Sequence, residues 1–336
     1  MACTDLPAFP DSLPGFQRLF PDEAACASYL EKCRWPEGFE CSTCKSVGEP
    51  FRFANRPGVL RCRECREDTR LTVGTVIEGS HTPLSVWFWG AYLVTTHTPG
   101  ISARQFQRQL GIPCYETAFQ ILHKLRAGMV RPDQDRIGGG NESHVEIDET
   151  LVGGRTRGKG RGVHKMVSVA GAVEVFWPPD ADYKKRKGGR YAGRVRLCVA
   201  NRSGDTLGNF VQSAVVPGSI VVTDGWQGYD DLTKAGYQHM PVVVGGKAHI
   251  AELNLPIIHL VFSNLKTWLR GIHHGVSPQH LQAYLNEFVF RFNRRRSPLN
   301  AFRSLMGIAG GATAPTYNAL YSGLWQHPRV LDNVPF

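Results

Sequence analysis

Two closely spaced pairs of cysteines constrain the fold of this chain more than any other feature. Cys41 and Cys44 form CSTC, Cys62 and Cys65 form CREC, and seventeen residues separate the pairs. Each CxxC turn directs two thiolates at one point, and two such turns complete a tetrahedral zinc site. A redox pair or unpaired thiols are the alternatives. We predict a zinc ribbon over residues 38–78, with metal binding supplying folding free energy that so short a segment cannot obtain from a core.

The sequence around these cysteines predicts the rest of the ribbon. RFANRPGVLRC, between the pairs, and TRLTVGTVIEG, after them, have the composition of short strands. Before the ribbon, residues 1–37 form a predicted helical segment.

Composition favours a protein of two or three domains with a phosphate-rich partner. The chain has 336 residues, 42% of them hydrophobic, and 39 Lys and Arg against 29 Asp and Glu, for a net charge of +10. That surplus suits nucleic acid, although solubility alone would also explain it. No apolar run is long enough for a membrane span. The start of the chain lacks an apolar stretch, so we expect no signal peptide, and nine cysteines without one argue against a disulfide framework.

A helical region follows the predicted ribbon. Residues 83–129 carry apolar side chains at helical spacing, interrupted by a short turn at Gly111 to Pro113. Two helices joined by a short Gly-containing turn are the pattern of a helix-turn-helix, which we predict within residues 79–135. The residues expected to face DNA are Tyr115, Glu116 and Gln120.

Two aspartates lie on predicted strands in the second half of the chain. Asp148 is part of HVEIDET, where apolar residues alternate, and Asp224 follows a β-branched run in VVTDGWQGY. The carboxyl end of a buried strand is where α/β folds place their chemistry. Three strands, a crossover helix and a fourth strand, with acids on the first and fourth, are the order of an RNase H-like sheet, in which the two acidic strands are neighbours.

These motifs together resemble the zinc-ribbon-bearing group of DDE-type insertion-sequence transposases of bacteria. The matching motifs are CSTC…CREC, VEIDET with a following Gly-Gly, VTDGWQGY, and SNLKTWLRGIHHGVSPQHLQAYLNEFVFRFNRR. The resemblance implies an α/β fold, an RNase H-like mixed sheet flanked by helices, preceded by the zinc ribbon and the helix-turn-helix. We assign residues 142–300 to this catalytic domain, with basic insertions, and residues 301–336 to a C-terminal tail.

In enzymes of this kind three side chains hold two divalent ions, Mg²⁺ or Mn²⁺. Asp148 and Asp224 match the first two ligands, but the usual glutamate is missing. We favour His259 as the third ligand over Asn264, because 34 residues separate it from Asp224 and because Lys266 follows it by seven residues, where the family's lysine follows its acid. Glu287 is a weaker option. The catalytic set is then Asp148, Asp224, His259 and Lys266.

A histidine in this position leaves several alternatives open. Imidazole suits Mn²⁺ better than Mg²⁺, which prefers oxygen ligands. His259 could instead carry a proton, could mark an inactive copy, or could lie on the helix surface without a role.

The remaining predicted DNA contacts are basic side chains. Lys159, Arg161 and Lys165 belong to the glycine-rich stretch GGRTRGKGRGVHK, which suits a phosphate backbone but would also suit a solvated hairpin. Lys266 and Arg270 share the face of the later helix that carries His259.

The predicted function is a transposase that binds the terminal inverted repeats of its element and catalyses metal-dependent DNA cleavage and strand transfer. Its partners would be the double-stranded DNA of the element ends and of the target, bound by a homodimer or higher assembly in the bacterial cytoplasm, at the nucleoid. The alternatives are an inactive transposase copy or a DNA-binding regulator, and a nuclease that cuts without joining.

Overall fold

The computed structural model describes residues 12–130, 135–140, 142–153, 166–177, 189–200, 204–242, 254–296 and 298–309. The chain divides into two units. The first comprises the residues up to Val130 together with the segment that begins at Arg294, and the second comprises Arg131–Asn293. No helix within the described ranges is both long and apolar enough to cross a membrane.

The first unit contains a three-stranded antiparallel sheet in the order β1-β2-β3. The strands are β1 (Phe51–Phe53), β2 (Arg56–Arg61) and β3 (Asp68–Arg70). The hairpin of β1 and β2 lies in the segment between the cysteine pairs, as predicted. The strand predicted from Thr69 to Gly79 is wrong beyond Arg70, because the chain there bonds to itself in turns, with Gly74 and Gly79 at positive φ.

Five helices of this unit surround the small sheet or follow it. They are α1 (Leu13–Leu19), α2 (Glu23–Arg34), α3 (Leu84–Thr96), α4 (Ala103–Gln109) and α5 (Tyr115–Ala127). Asp22 begins α2 by accepting a hydrogen bond from the Ala25 amide at 2.8 Å. A five-residue turn with Gly111 at φ 61° joins α4 to α5, as the sequence predicts.

The second unit is built on a five-stranded mixed sheet in the order β6-β5-β4-β7-β8. Its strands are β4 (Ser143–Val152), β5 (Val167–Phe176), β6 (Tyr191–Val199), β7 (Ile220–Thr223) and β8 (Gln238–Pro241). β5 pairs antiparallel with β4 and β6, whereas β7 pairs parallel with β4 and β8. The predicted RNase H-like order is therefore confirmed, with the two acid-bearing strands β4 and β7 as neighbours.

Helices cover both faces of this sheet because side chains of β4 alternate between them. Helix α6 (Gly204–Ala214) packs on the face that carries Val145 and Ile147. Helices α7 (Pro256–His273) and α8 (Leu281–Asn293) share a core with side chains of β5 and β6 on the opposite face.

The exposed edge of β6 is closed by amide side chains of α8. Asn293 accepts from the Val195 amide at 2.8 Å and donates to its carbonyl, and Gln282 accepts from the Val199 amide at 2.9 Å. An uncovered edge strand would offer its N–H and C=O groups to other chains. Asn293, which the sequence assigned no role, thus anchors α8 along the sheet edge.

The first unit is completed by helix α9 (Pro298–Ala309), which the sequence analysis did not identify. Its Phe302 is fully buried and contacts the aromatic rings of Phe16, Phe20 and Phe88 at centroid distances of 5.8 to 6.0 Å. The Gly- and Ala-rich sequence after it concealed the helix.

Gly171 of β5 determines how closely α7 approaches the sheet. It lies directly opposite Asp148, and a Cβ atom there would come within 2.7 Å of the Phe262 ring of α7. The missing side chain therefore lets the helix lie against the acid-bearing strand.

We expect Gly171→Ala to destabilise the protein by about 1–3 kcal/mol, since overpacking must displace Phe262 or the strand. The measurement is the free energy of unfolding in denaturant. Gly208→Ala is the matched control, because this helical glycine has open space around it, and there the gain in helix propensity should stabilise by up to about 1 kcal/mol. Equal stabilities for Gly171→Ala and the parent would show that α7 is not held by this contact.

Candidate active site

The two predicted aspartates belong to neighbouring parallel strands, Asp148 within β4 and Asp224 directly after β7. Val145 of β4 pairs with Val221 of β7, and the next residues pair in the same register. Continued by two residues, this register sets Asp148 opposite Asp224, at the usual interstrand spacing of about 4.8 Å between backbones. Both carboxylates also accept local backbone hydrogen bonds, Asp148 from Glu149 at 2.8 Å and Asp224 from Trp226 at 3.0 Å.

His259, in the first turn of α7, lies beside the first aspartate. Its Nε2 atom is 3.6 Å from Oδ2 of Asp148, and the two side chains are 33% and 12% exposed. Among the residues that the structure describes, no hydrogen-bond partner reaches this buried nitrogen. The separation is too long for a hydrogen bond and falls in the range of two ligands of one ion.

Glu146 fixes the start of α7 and was missed by the sequence analysis. It is completely buried, and its Oε2 atom accepts from the amides of Ile257 and Ile258, each at 2.8 Å. The helix begins at Pro256 after Leu255, which offers no capping side chain. The signal was the alternation of β4, which places Glu146 on the same face as Asp148.

A second missed pair joins the turn after Asp224 to β4. The hydroxyl of Tyr229, a fully buried side chain, donates to the carboxylate of Glu149. Burial first, and then the negative charge of Glu149, hold the pKa of Tyr229 well above its ordinary value. Tyr229 therefore stays protonated and ties the DGWQGY turn to the strand of Asp148.

The other predicted residues of α7 are placed differently. Lys266 is half-buried, and burial together with the nearby charge of Arg270 lowers its pKa, while attraction to Asp148 opposes that shift. Arg270 is exposed. Asn264 is also exposed, and Glu287 of α8 is buried, 3.7 Å from Arg291.

The three predicted ligands are not fully gathered. Within the described ranges, the four cysteines are the one group of three or more Cys, His, Asp or Glu side chains whose ligand atoms all lie within 4.8 Å of one another. Asp148, Asp224 and His259 do not form such a group, although His259 lies 3.6 Å from Asp148. Lys159, Arg161 and Lys165 lie outside the described residues.

The four cysteines have the geometry of a zinc centre. The sulfurs of Cys41 and Cys65, and those of Cys44 and Cys62, are 3.6 Å apart. Four sulfurs bonded to zinc at 2.3 Å would be separated by about 3.8 Å, so the cluster fits the metal. In the metal-free cluster the hydrogen bond with Ser46 contributes most to lowering the pKa of the Cys62 thiol to about 6. The hydrogen bond with the Glu67 backbone lowers the pKa of the Cys65 thiol, but burial and the other cysteines outweigh this effect and raise that pKa to about 12.

Both CxxC turns also share one backbone conformation. The residue after each second cysteine, Lys45 and Arg66, has a left-handed backbone with φ of 60° and 66°. The repeated turn directs the two pairs of thiols at a common centre.

We expect the purified protein to contain one zinc ion per chain and Cys44→Ser to lose most of it, because three thiolates bind zinc much more weakly than four. Metal content by mass spectrometry measures this. Cys114→Ser is the control, since Cys114 is likewise an exposed thiol of the first unit but lies outside the cluster. Unchanged zinc in Cys44→Ser would remove this residue from the metal site.

Comparison with known proteins agrees with this arrangement. Residues 139–293 match the family model of the ISXO2-like transposase domain, and residues 21–68 match that of the transposase zinc-ribbon domain. A protein in transposable element ISH50 of Halobacterium salinarum is 25% identical over 303 residues, which cover 84% of this chain and 94% of the relative. No solved structure matches. Over residues 21–68 and 139–293, the chain is similar to the zinc-ribbon-bearing insertion-sequence transposases.

Proposed function

We propose that this protein binds the terminal inverted repeats of its element, cuts DNA at the element ends and joins the 3′-hydroxyls to target DNA. The observation that carries the proposal is the position of Asp148 in β4, which the register with the neighbouring parallel strand β7 sets opposite Asp224, with His259 3.6 Å from Asp148. Carboxylates so placed suit divalent metal ions, and a protein that only bound DNA would not require them.

The donor set fits a divalent ion. Asp148, Asp224 and His259 offer carboxylate oxygens and a ring nitrogen, which are ligands that Mg²⁺ or Mn²⁺ takes in proteins. These three side chains would hold the metal, and the buried Nε2 atom of His259 lies 3.6 Å from Oδ2 of Asp148. When bound, two such ions activate the attacking oxygen and stabilise the leaving oxygen.

His259 is better supported as the third ligand than Asn264. Its ring nitrogen is buried and directed at Asp148, whereas Asn264 is exposed on α7. Glu287 is engaged with Arg291 on α8. The imidazole also lies just after the helix start that Glu146 fixes, so its position is set by backbone hydrogen bonds rather than by a flexible loop.

Lys266 and Arg270 suit the DNA phosphate at the cut. They follow His259 on α7, and the half-buried ammonium of Lys266 is near enough to Asp148 to feel its charge. A cation held there would contact the scissile phosphate and neutralise charge that develops during its transfer.

The first unit offers surfaces for sequence-independent and sequence-dependent DNA contacts. On the ribbon, Arg56 and Arg61 stack on Phe53, and Arg63 and Arg66 on Phe51, at 4.5 to 5.2 Å. These guanidinium groups are suited to phosphates. Helices α4 and α5 would form the helix-turn-helix, with Tyr115 and Glu116 at the start of α5. Both element ends must be cut together, so we propose a homodimer or larger assembly on DNA.

We expect cleavage of labelled end DNA by the parent, and at least a roughly 100-fold slower reaction for Asp148→Asn, Asp224→Ala and His259→Ala, because each loses a ligand of the catalytic metals. Asn264→Ala is the matched control on the same helix and should retain activity within about twofold of the parent. Binding to the same DNA, measured in parallel, should be unchanged in all of them.

Two results would contradict this assignment. An inactive Asn264→Ala beside an active His259→Ala would make Asn264 the third ligand. A parent that binds the ends but never cuts them with either Mg²⁺ or Mn²⁺ would be a DNA-binding protein or an inactive copy, and cutting without joined product would indicate a nuclease.

We expect the parent to be more active with Mn²⁺ than with Mg²⁺, and His259→Glu to shift this preference by about tenfold toward Mg²⁺, because Mg²⁺ favours oxygen over nitrogen ligands. Cleavage rates over a titration of each metal measure the preference. An unchanged Mn²⁺ to Mg²⁺ ratio in His259→Glu would mean that this side chain does not contact the metal.

A further inference from the structure

An open groove lies beside the start of α7, on the sheet face that carries Asp148. Its volume is about 340 Å³, which is within the range of small-ligand sites, and four apolar and five polar or charged residues line it. Trp177, at the end of β5, and Met240, on β8, are its most exposed apolar members, with 48% and 57% of their surface accessible. None of the roles assigned above uses these residues.

The groove lies on the same face of the sheet as the aspartate pair, and the start of α7, which rests on the buried Glu146, lies between them. His144 lines the groove, and Glu146 and Asp148 follow on the same face of β4 because alternate residues of a strand point the same way. Val222 of β7, also in the lining, lies two residues before Asp224. From His144 to Asp148 the strand rises about 13 Å, the length of about four nucleotides at the 3.4 Å rise of stacked DNA.

The lining has the chemistry of a stacking site for a nucleobase. The guanidinium of Arg190 lies 4.7 Å from the centre of the Trp177 ring, and the ring of His144 is 6.2 Å from it. Aromatic rings and arginine planes are the groups on which unpaired bases stack. The guanidinium of Arg190 suits the phosphate of the nucleotide, and the ring nitrogens of His144 suit the polar edge of its base. Glu142 adds one exposed carboxylate at the rim of the groove.

We propose that this groove binds one unpaired nucleobase of the DNA, within about four nucleotides of the phosphate that is cut. This inference rests on the proposed function, because it places the base relative to Asp148 and Asp224. A base paired inside a duplex is stacked on both sides and cannot enter the groove, so the DNA must open locally beside the cut. The open base would hold the strand in register with the aspartates.

The test compares binding of end DNA by the parent and by Trp177→Ala, with no divalent metal present. Single abasic positions are placed in turn within four nucleotides on either side of the cut. For the parent, one abasic position should weaken binding by roughly 5- to 150-fold, the range for loss of one stacked base. Trp177→Ala should bind intact DNA as weakly as the parent binds the DNA with that abasic position, and the abasic position should not weaken its binding further. Trp177→Phe should retain most of the parent's affinity for intact DNA.

A matched pair of methionines separates the groove from general surface effects. Met240→Ala should weaken binding, whereas Met166→Ala, at an exposed methionine outside the groove lining, should not. Equal affinity of Trp177→Ala and the parent, or equal sensitivity of both to every abasic position, would overturn the proposal. A change in the oligomeric state of DNA-free Trp177→Ala would overturn it in favour of a second copy of the chain.

Because this measurement is made without metal, it is independent of the cleavage experiment. A parent that never cuts DNA but shows the abasic pattern would retain the groove as a base-binding site while losing the catalytic role. A parent that cuts but lacks the pattern would retain the catalytic role alone.

Discussion

One buried carboxylate holds the second unit's candidate site together. Glu146 lies at the centre of the sheet, completely removed from solvent, and its charge faces the amino end of α7, where two backbone amides donate to it. A helix amino terminus carries partial positive charge, which offsets much of the cost of burying an anion. Glu146 and Asp148 point the same way from β4, about 6.7 Å apart. Fixing the helix start on Glu146 therefore places His259, one turn later at most, beside Asp148.

Helix α7 can approach Glu146 because the sheet beneath the helix has no side chain at Gly171. Gly171, opposite Asp148, has no side chain, and the ring of Phe262 occupies the space. On the other face, Tyr229 ties the turn after Asp224 back to Glu149. The acidic strand is thus held from both sides by contacts that involve neither Asp148 nor Asp224.

The sequence predicted the features that repeat locally. Cysteine spacing indicated the ribbon, alternating apolar residues indicated β4, and the succession of strands and a helix indicated the sheet order, because each depends on backbone geometry over a few residues. The RNase H-like order of strands also placed the strands that carry Asp148 and Asp224 side by side. The turns after Arg70 were mistaken for a strand because apolar and β-branched residues outnumber the two glycines that the turns require.

The contacts that position the site had no local signal. Glu146 caps a helix that begins more than a hundred residues later, and Tyr229 reaches Glu149 across eighty residues. Helical spacing alone left His259 and Asn264 as alternatives, since both lie within the first three turns of one helix. Only the depth at which the helix packs distinguishes a half-buried ring beside Asp148 from an exposed amide. Helix α9 escaped notice because its stabilising contact, Phe302 among distant aromatic rings, is also long-range.

The histidine changes the electrostatic balance of the proposed site. Asp148, Glu149 and Glu146 lie within four residues of one strand, with Asp224 on the next, so the metal-free site already concentrates negative charge. A glutamate at position 259 would bring a further carboxylate to Asp148, and like charges at that distance are unfavourable without a cation between them. A histidine at this position brings no further carboxylate to Asp148, so this repulsion is absent. Histidine in place of glutamate also reduces the attraction between the site and the metal ion that the carboxylates would hold. The metal-free site would then be better ordered, and its affinity for the metal would be lower. Lys266 is attracted by the charge of Asp148 and repelled by the charge of Arg270. A DNA phosphate beside it would add a negative charge next to this ammonium group.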